Sequence, residues 1–444
     1  MSGSVSSHSR RSALSQVALS ATSLALLLLP LTSCAPDDAA VQASLAAQPP
    51  APSMPPRDDV ATTGTEKWRV PLGIPEALSY AVGHTDSTFL LTVLDDAGMD
   101  ATIGDIGTGA TAGRFALPKG SGWPVITGDA RDPIITAAVP AADGDGVTVV
   151  TAWNTMGTAR WLRSAADLGT TSGTGLRVDV AEAGRVVVRT ADGAASPFQD
   201  TELWVLDAAN GATVWGTPGG ATVRWAEAAH GLLMYTWRSD AAPDQPSDRV
   251  SIRAVDDGRE VGTAAVVSDY GGGTRLNTQC GGIASAQRIV MCDWQGDNRV
   301  AILAQTDGSP IREWPITELP LIDAEAGVVV LWVPGEDGGL LGVDAATGEQ
   351  LWRYPPDDLL AYEIVLDAAA NGVLLGSAGA ANVAVSARTG VWLVRERFDY
   401  LRPGSAIGDH VVEFRGGDAV GSTGPGVGVA TLQDEGDSVL FVRP

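Results

Sequence analysis

Leu340-Leu341-Gly342-Val343-Asp344-Ala345-Ala346-Thr347-Gly348-Glu349-Gln350-Leu351-Trp352-Arg353-Tyr354 is the stretch on which the reading of the fold turns. An apolar run stops at Asp344, Gly348 stands where a turn takes a positive φ, and a second strand then carries Trp352. A close copy runs from Leu203 to Trp215, with Asp207, Gly211 and Trp215 at the same spacing. The step from glycine to tryptophan recurs in Gly64 to Trp68 and in Gly157 to Trp161. The unit is a repeat, and repeats accrete into one body.

From Trp68 onward, short β-branched runs such as Val147-Thr148-Val149-Val150, Arg185-Val186-Val187-Val188-Arg189 and Val328-Val329-Val330-Leu331-Trp332 are bounded by Gly, Asp and Pro. Asp143-Gly144, Asp192-Gly193, Asp257-Gly258, Asp307-Gly308 and Asn371-Gly372 are dipeptides that accept left-handed dihedrals cheaply, as hairpin turns require. The pattern predicts an all-β chain. Aligned turn glycines are Gly64, Gly98, Gly157, Gly211, Gly258, Gly308, Gly348 and Gly390, at steps of roughly 34 to 59 residues, the range of a four-stranded propeller blade with variable loops.

On these residues the chain resembles the PQQ-like, or quinoprotein, β-propeller repeat family, whose repeat reads approximately Ala-x-Asp-x-x-Thr-Gly-x-x-x-Trp. Gly342 to Trp352 matches except for Gly at the first position, and Val205 to Trp215 except for Val there and Asn210 before the glycine. Elsewhere the copies decay: Arg312 stands where the tryptophan is expected, with Trp314 two residues on, and Gly390 is followed by Trp392 and Val394. A single β-propeller of four-stranded blades over residues 63–444 is the expected architecture, with eight blades favoured and seven as the alternative. Thr65 to Pro71 would close the ring as an outer strand on the blade made by the C-terminal residues, removing the free edges. Trp68, Trp161, Trp215 and Trp352 are read as structural, each ring buried between blades and each indole N–H in need of a carbonyl. Asp207, Gly211, Asp344 and Gly348 are the turn residues of the same unit.

The first sixty residues carry an address. Arg10 and Arg11 precede an apolar stretch ending in Leu26-Leu27-Leu28-Leu29, and Leu31-Thr32-Ser33-Cys34 matches the bacterial lipobox. Residues 1–33 therefore read as a lipoprotein signal peptide, with Cys34 the lipidated residue holding the protein to the extracytoplasmic side of the cell membrane. Residues 34–62, rich in Ala, Pro and Asp, read as a disordered tether. Export permits a disulfide, and Cys280 and Cys292 are expected to pair, worth about 2–3 kcal/mol in the chain-entropy model.

With 29 Lys plus Arg against 53 Asp plus Glu, the formal charge of −24 repels nucleic acid, which is excluded as a partner. His84, His230 and His410 fall in different repeat intervals, no Gly-x-Ser-x-Gly elbow occurs, and neither Lys67 nor Lys119 follows a glycine as a P-loop lysine would. Gly104-Asp105-Ile106-Gly107-Thr108-Gly109 reads as a glycine-rich loop. Asp143-Gly144-Asp145, Asp256-Asp257 and Asp357-Asp358 read as solvated turns, since none has the spaced oxygens of a calcium loop, and no metal site is expected. No catalytic motif emerges. The resemblance implies, for some of its members, a quinone-dependent dehydrogenase with an adjacent-cysteine disulfide against the cofactor; this chain has no Cys-Cys pair, and PQQ is not expected. Other members resemble it in build, with a lipid anchor, a tether and one propeller used as a binding platform for envelope proteins. That is the favoured role; the alternative is a PQQ-dependent oxidoreductase or a propeller that binds a small ligand.

Overall fold

Val, Ile and Leu runs that are apolar on both faces form strands here because each face finds a neighbouring sheet to pack against. The structure, a computed structural model, describes residues 65–71, 79–85, 87–94, 98–128, 131–141, 148–170, 175–191, 202–217, 221–239, 248–265, 281–295, 298–362, 364–370, 372–378, 381–396, 401–407, 410–415, 419–422, 428–430 and 438–443. All belong to one unit, Gln48–Pro444. The signal segment, Cys34 and the tether lie outside the described residues.

Among the described residues the strands fall into eight antiparallel sheets, seven of four strands and one of six. Each four-stranded sheet but one is a plain meander. Residues 175–216 illustrate it: Gly175–Glu182, Arg185–Ala191, Leu203–Asp207 and Thr213–Gly216 pair in chain order. The exception closes the ring. Thr65–Pro71 pairs with Ser438–Arg443, Thr65 opposite Arg443 and Trp68 opposite Phe441, and so becomes the outermost strand of the sheet containing Leu401–Ile407 and His410–Arg415. First strands pack on first strands from sheet to sheet: Val125–Thr127 on Gly175–Glu182, Gly175–Glu182 on Ala221–Ala229, Gly281–Ser285 on Leu321–Asp323, and Ile364–Ala370 on Leu401–Ile407. First strands therefore face the axis and fourth strands the outside, which is a β-propeller. A helix, α1 (Pro356–Tyr362), lies in a connection between sheets.

The core is distributed between sheets. One cluster joins Val328, Val330 and Leu340 of one sheet to Leu374, Val383 and Val385 of the next, with Trp352 and Tyr354 between them. Another joins Val150, Ala152 and Trp161 to Val186, Val188 and Leu206. The pairing of third and fourth strands slips by one residue at the same place in sheet after sheet, between Val205 and Leu206, Gly342 and Val343, and Ala384 and Val385. A bulge there twists the fourth strand just before the tryptophan position.

One repeat was misplaced. Gly98 lies between Thr88–Leu94 and Met99–Asp105, the second and third strands of its sheet. The turn from the third to the fourth strand is Asp105 to Ala110, inside the stretch read as an ordinary glycine-rich loop. Gly109 takes φ +70 and its N–H donates to Asp105 O at 2.8 Å, while Asp105 Oδ1 accepts from Thr108 N at 2.8 Å and Thr108 Oγ1 at 2.7 Å. Asp105-Ile106-Gly107-Thr108-Gly109 is thus a full copy of the turn. It lacks the tryptophan because Gly113 occupies that position, where the Thr155 carbonyl leaves no room for a side chain.

Trp352 is 2% exposed. Its replacement by Ala should cost about 3–5 kcal/mol, read as a fall in the denaturation midpoint. Gly211 sits at φ +71, and a Cβ there would lie 2.6 Å from the Trp161 ring. Gly211→Ala should therefore destabilise by more than the roughly 1 kcal/mol of a strained backbone alone, whereas Gly184→Ala, with open space at φ +76, should show only the backbone cost.

Candidate functional site

The two ends of the propeller are built differently. At one end, turns between first and second strands are as short as residues 183–184, 230–231 and 371–372, and turns between third and fourth strands carry the repeated Asp and Gly. At the other lie the connections from second to third strands and from one sheet to the next, among them residues 118–124, 317–320 and 334–338.

The tight end is a lattice of cross-sheet hydrogen bonds. Trp161 Nε1 donates to Ala208 O at 2.6 Å, Trp215 Nε1 to Val255 O at 2.9 Å, and Trp352 Nε1 to Ala387 O at 2.7 Å, each acceptor lying in the next sheet. The N–H groups of Ala208, Val255 and Ala387 donate in turn to Gly184, Gly231 and Gly372, the glycines of the first turns of their own sheets. Asp207 Oδ1 accepts from Ala209 N at 3.0 Å, and Asp344 Oδ1 from Ala346 N at 2.9 Å and Thr347 N at 3.1 Å. Gly211 and Gly348 supply the positive φ. Although partial burial pushes the Asp344 carboxyl up, Arg388 and the N–H groups of Thr347 and Ala346 hold it below the ordinary carboxylate value. Arg185 bonds Asp207 at 3.0 Å in its own sheet and Asp256 at 3.1 Å in the next. Where the tryptophan is missing, Arg312 packs on Gly348, donates to its carbonyl at 2.8 Å and lies 5.4 Å over the Trp314 ring.

A second ring of contacts, nearer the axis, was not foreseen from the sequence. Side-chain acceptors on first strands take backbone N–H groups from the next sheet's first turn or first strand. Thr127 Oγ1 accepts from Gly184 N at 3.1 Å, Glu182 Oε1 from Gly231 N at 2.9 Å, Glu227 Oε1 from Ile283 N at 3.2 Å, and Asp323 Oδ2 from Gly372 N at 2.6 Å. The available signal was an acceptor a few residues before each first-turn glycine. Burial pushes Glu227 up to about 7, with the nearby Glu182 adding to the shift, and burial also raises Glu182 and Asp323. Beside Glu182, His230 adopts φ +53 and its Nε2 lies 2.9 Å from Ala324 O. Between two sheets, Asp179 is bonded by Arg189 and Arg177, and Arg189 also donates to Val223 O at 3.0 Å. Burial pushes the Asp179 carboxyl up to about 7 against the pull of Arg177.

These carboxyls are matched to N–H and guanidinium donors, and their chemistry is to hold sheets together. Among the described residues no group of three His, Cys, Asp or Glu side chains is placed to hold a metal ion. At the loop-rich end, Leu94, Met99, Lys119 and Trp123 border a groove of about 390 Å³. Cys292 is buried; Cys280, Cys34 and the side chain of Trp68 lie outside the described residues.

No family model matches the chain, and no curated relative matches it. Among solved structures it is similar to a europium-containing methanol dehydrogenase, at 10% identity and TM-score 0.48, over 86% of this chain and 95% of that one. It is also similar to the quinohemoprotein alcohol dehydrogenase from Comamonas testosteroni, at 12% identity and TM-score 0.49, over 86% and 76%. A third is Sqt1 from Saccharomyces cerevisiae, at 10% identity and TM-score 0.43, over 86% and 100%.

Glu227 yields a pH prediction. Its folded value near 7 stands above the ordinary 4.5, so the folded state holds the proton more tightly. The stability tied to the neutral carboxyl is complete below pH 4.5 and is lost as pH rises towards 7, on the order of 3 kcal/mol. Asp179 acts in the same direction. Glu227→Gln keeps an acceptor for Ile283 N and should make the fall in stability between pH 4.5 and 7 shallower, measured by urea unfolding across that range.

Proposed function

We propose that the chain is an exported, lipid-anchored and non-catalytic propeller that presents its loop-rich end to a protein partner at the cell envelope. In this reading residues 1–33 are removed, Cys34 carries the lipid, residues 34–62 are the tether and residues 63–444 the platform. The observation that carries the reading is the division of labour between the ends. Turns at the tight end are consumed in cross-sheet bonds through Asp207, Asp344, Arg185 and Arg388, whereas connections at the other end vary freely in length, as partner-binding loops on a rigid scaffold do. A bridge between Cys280 and Cys292 belongs to the same proposal.

A quinone cofactor is the competing reading, suggested by the repeat. The residues fit it poorly: the sequence has no adjacent cysteines, and Glu182, Glu227 and Asp323 each already accept an N–H from a neighbouring sheet. No step is derived through it.

Three measurements test the proposal. Cys34→Ala should move the protein from the membrane to the soluble fraction, and retention would refute lipid anchoring. A photo-crosslinking residue at position 337, exposed at the loop-rich end, should capture a partner that the same residue at position 347, exposed at the tight end, does not; equal capture would overturn the assignment of the face. PQQ and Ca²⁺ should confer no dye reduction with alcohols, and PQQ-dependent reduction would replace the platform with an oxidoreductase.

A further inference from the structure

The sheet that begins at Ser79 has two strands more than the others. They come from the far end of the chain. Arg415 and Ser438 are register partners in the closing sheet, so a two-residue hairpin turn would suffice to join them. Instead residues 416–437 stand between them in the sequence. Among them Ala419–Ser422 pairs with Gly428–Ala430, and Gly428–Ala430 pairs antiparallel with Ser79–His84, Ala430 opposite Tyr80 and Val429 opposite Ala81.

Ser79–His84 is the first strand of its sheet and packs on Val125–Thr127, the first strand of the next. A strand bonded to its other edge therefore lies on the axis side. Ala419–Ser422 also packs on Ile364–Ala370 and Leu401–Ile407, and Gly428–Ala430 on Leu401–Ile407. These are the innermost strands of the two sheets that precede the seam of the ring. The hairpin thus touches three successive sheets from within. The composition of the two strands suits the place: Ala419-Val420-Gly421-Ser422 and Gly428-Val429-Ala430 hold no charged residue, in a chain that is 18% charged, and no side chain larger than valine. Only small residues allow backbones to approach closely where inner strands converge.

We propose that these two strands, Ala419–Ser422 and Gly428–Ala430, are a built-in stopper: they occupy the axial channel, latch the seam between the closing sheet and the Ser79 sheet, and deny the channel to a ligand. A partner then reads the rim of the propeller and not its bore. The inference is independent of lipid anchoring and of any partner's identity.

Hydrogen exchange on the full chain tests it. In the intact protein Tyr80 and Ala81 should exchange as slowly as residues of a sheet's interior. In a variant whose Arg415 and Ser438 are joined by an Asn-Gly turn, Ser79–His84 and Leu401–Ile407 should exchange on the order of tenfold faster or more, with Gly175–Glu182, far from the seam, unchanged. Unchanged exchange at Ser79–His84 after excision would overturn the proposal. Should the excised chain fail to fold, Val429→Pro in the full chain puts a proline into the strand opposite Ala81, where it disrupts the pairing. It should speed exchange at Tyr80, Ala81 and Leu401–Ile407, and no change there would overturn the proposal equally.

Discussion

Sheets in this protein are joined where an indole N–H reaches a backbone carbonyl of the next sheet beneath a turn glycine. Ladder hydrogen bonds run within a sheet and cannot fix the angle between one sheet and its neighbour; only side chains cross that gap. The bond from Trp161 to Ala208 does so, and it is directional, so the ring must seat in one orientation. The accepting residue is itself held, because Ala208 N donates to Gly184 O. Each junction therefore links a fourth strand to the third-to-fourth turn of the next sheet, and that turn to the first one. Gly211 is part of the device: it supplies the left-handed φ and leaves room for the Trp161 ring. The substitutes obey the same rule. Arg312 offers a guanidinium donor to Gly348 O, and Phe115 packs against Gly157 without a donor.

The inner acceptors solve a related problem closer to the axis. A glutamate or aspartate there is shielded from water, which favours its neutral form, yet each must satisfy a backbone N–H. Glu182 and Glu227 take this role in successive sheets, and their nearness raises Glu227 further. The arrangement explains why carboxyls near the axis of an acidic protein are structural: their oxygens are committed to Gly231 and Ile283.

Legibility in the sequence followed the range of the interaction. The Asp344 and Asp207 turns were readable because their hydrogen bonds are local, within three residues. The closing strand, Thr65–Pro71, was readable because a ring of repeats that starts with an outer strand needs a sheet to receive it. The turn from Asp105 to Gly109 was not legible because Gly113 stands where a tryptophan marks the other copies. Glu182 and Glu227 were not readable because their partners lie 49 and 56 residues away. The hairpin at 419–430 was invisible for the same reason: its pairing partner, Ser79–His84, is at the other end of the chain, and a run of Gly, Val and Ala reads locally as loop.

Ring closure and channel closure then have a common cause. The last sheet is assembled from both ends of the chain, which leaves its second and third strands as the natural place for a long connection. A connection sent outward would join the loops at the rim; sent inward, it meets the unpaired edge of Ser79–His84, the one inner strand that follows the seam. An exposed inner edge attracts a strand through its free N–H and C=O groups, and the pairing of Val429 with Ala81 uses them. Among the described residues the other first strands carry no strand on that edge, and Glu182 and Asp323 meet the N–H groups of Gly231 and Gly372 there instead. At the seam, backbone fills it.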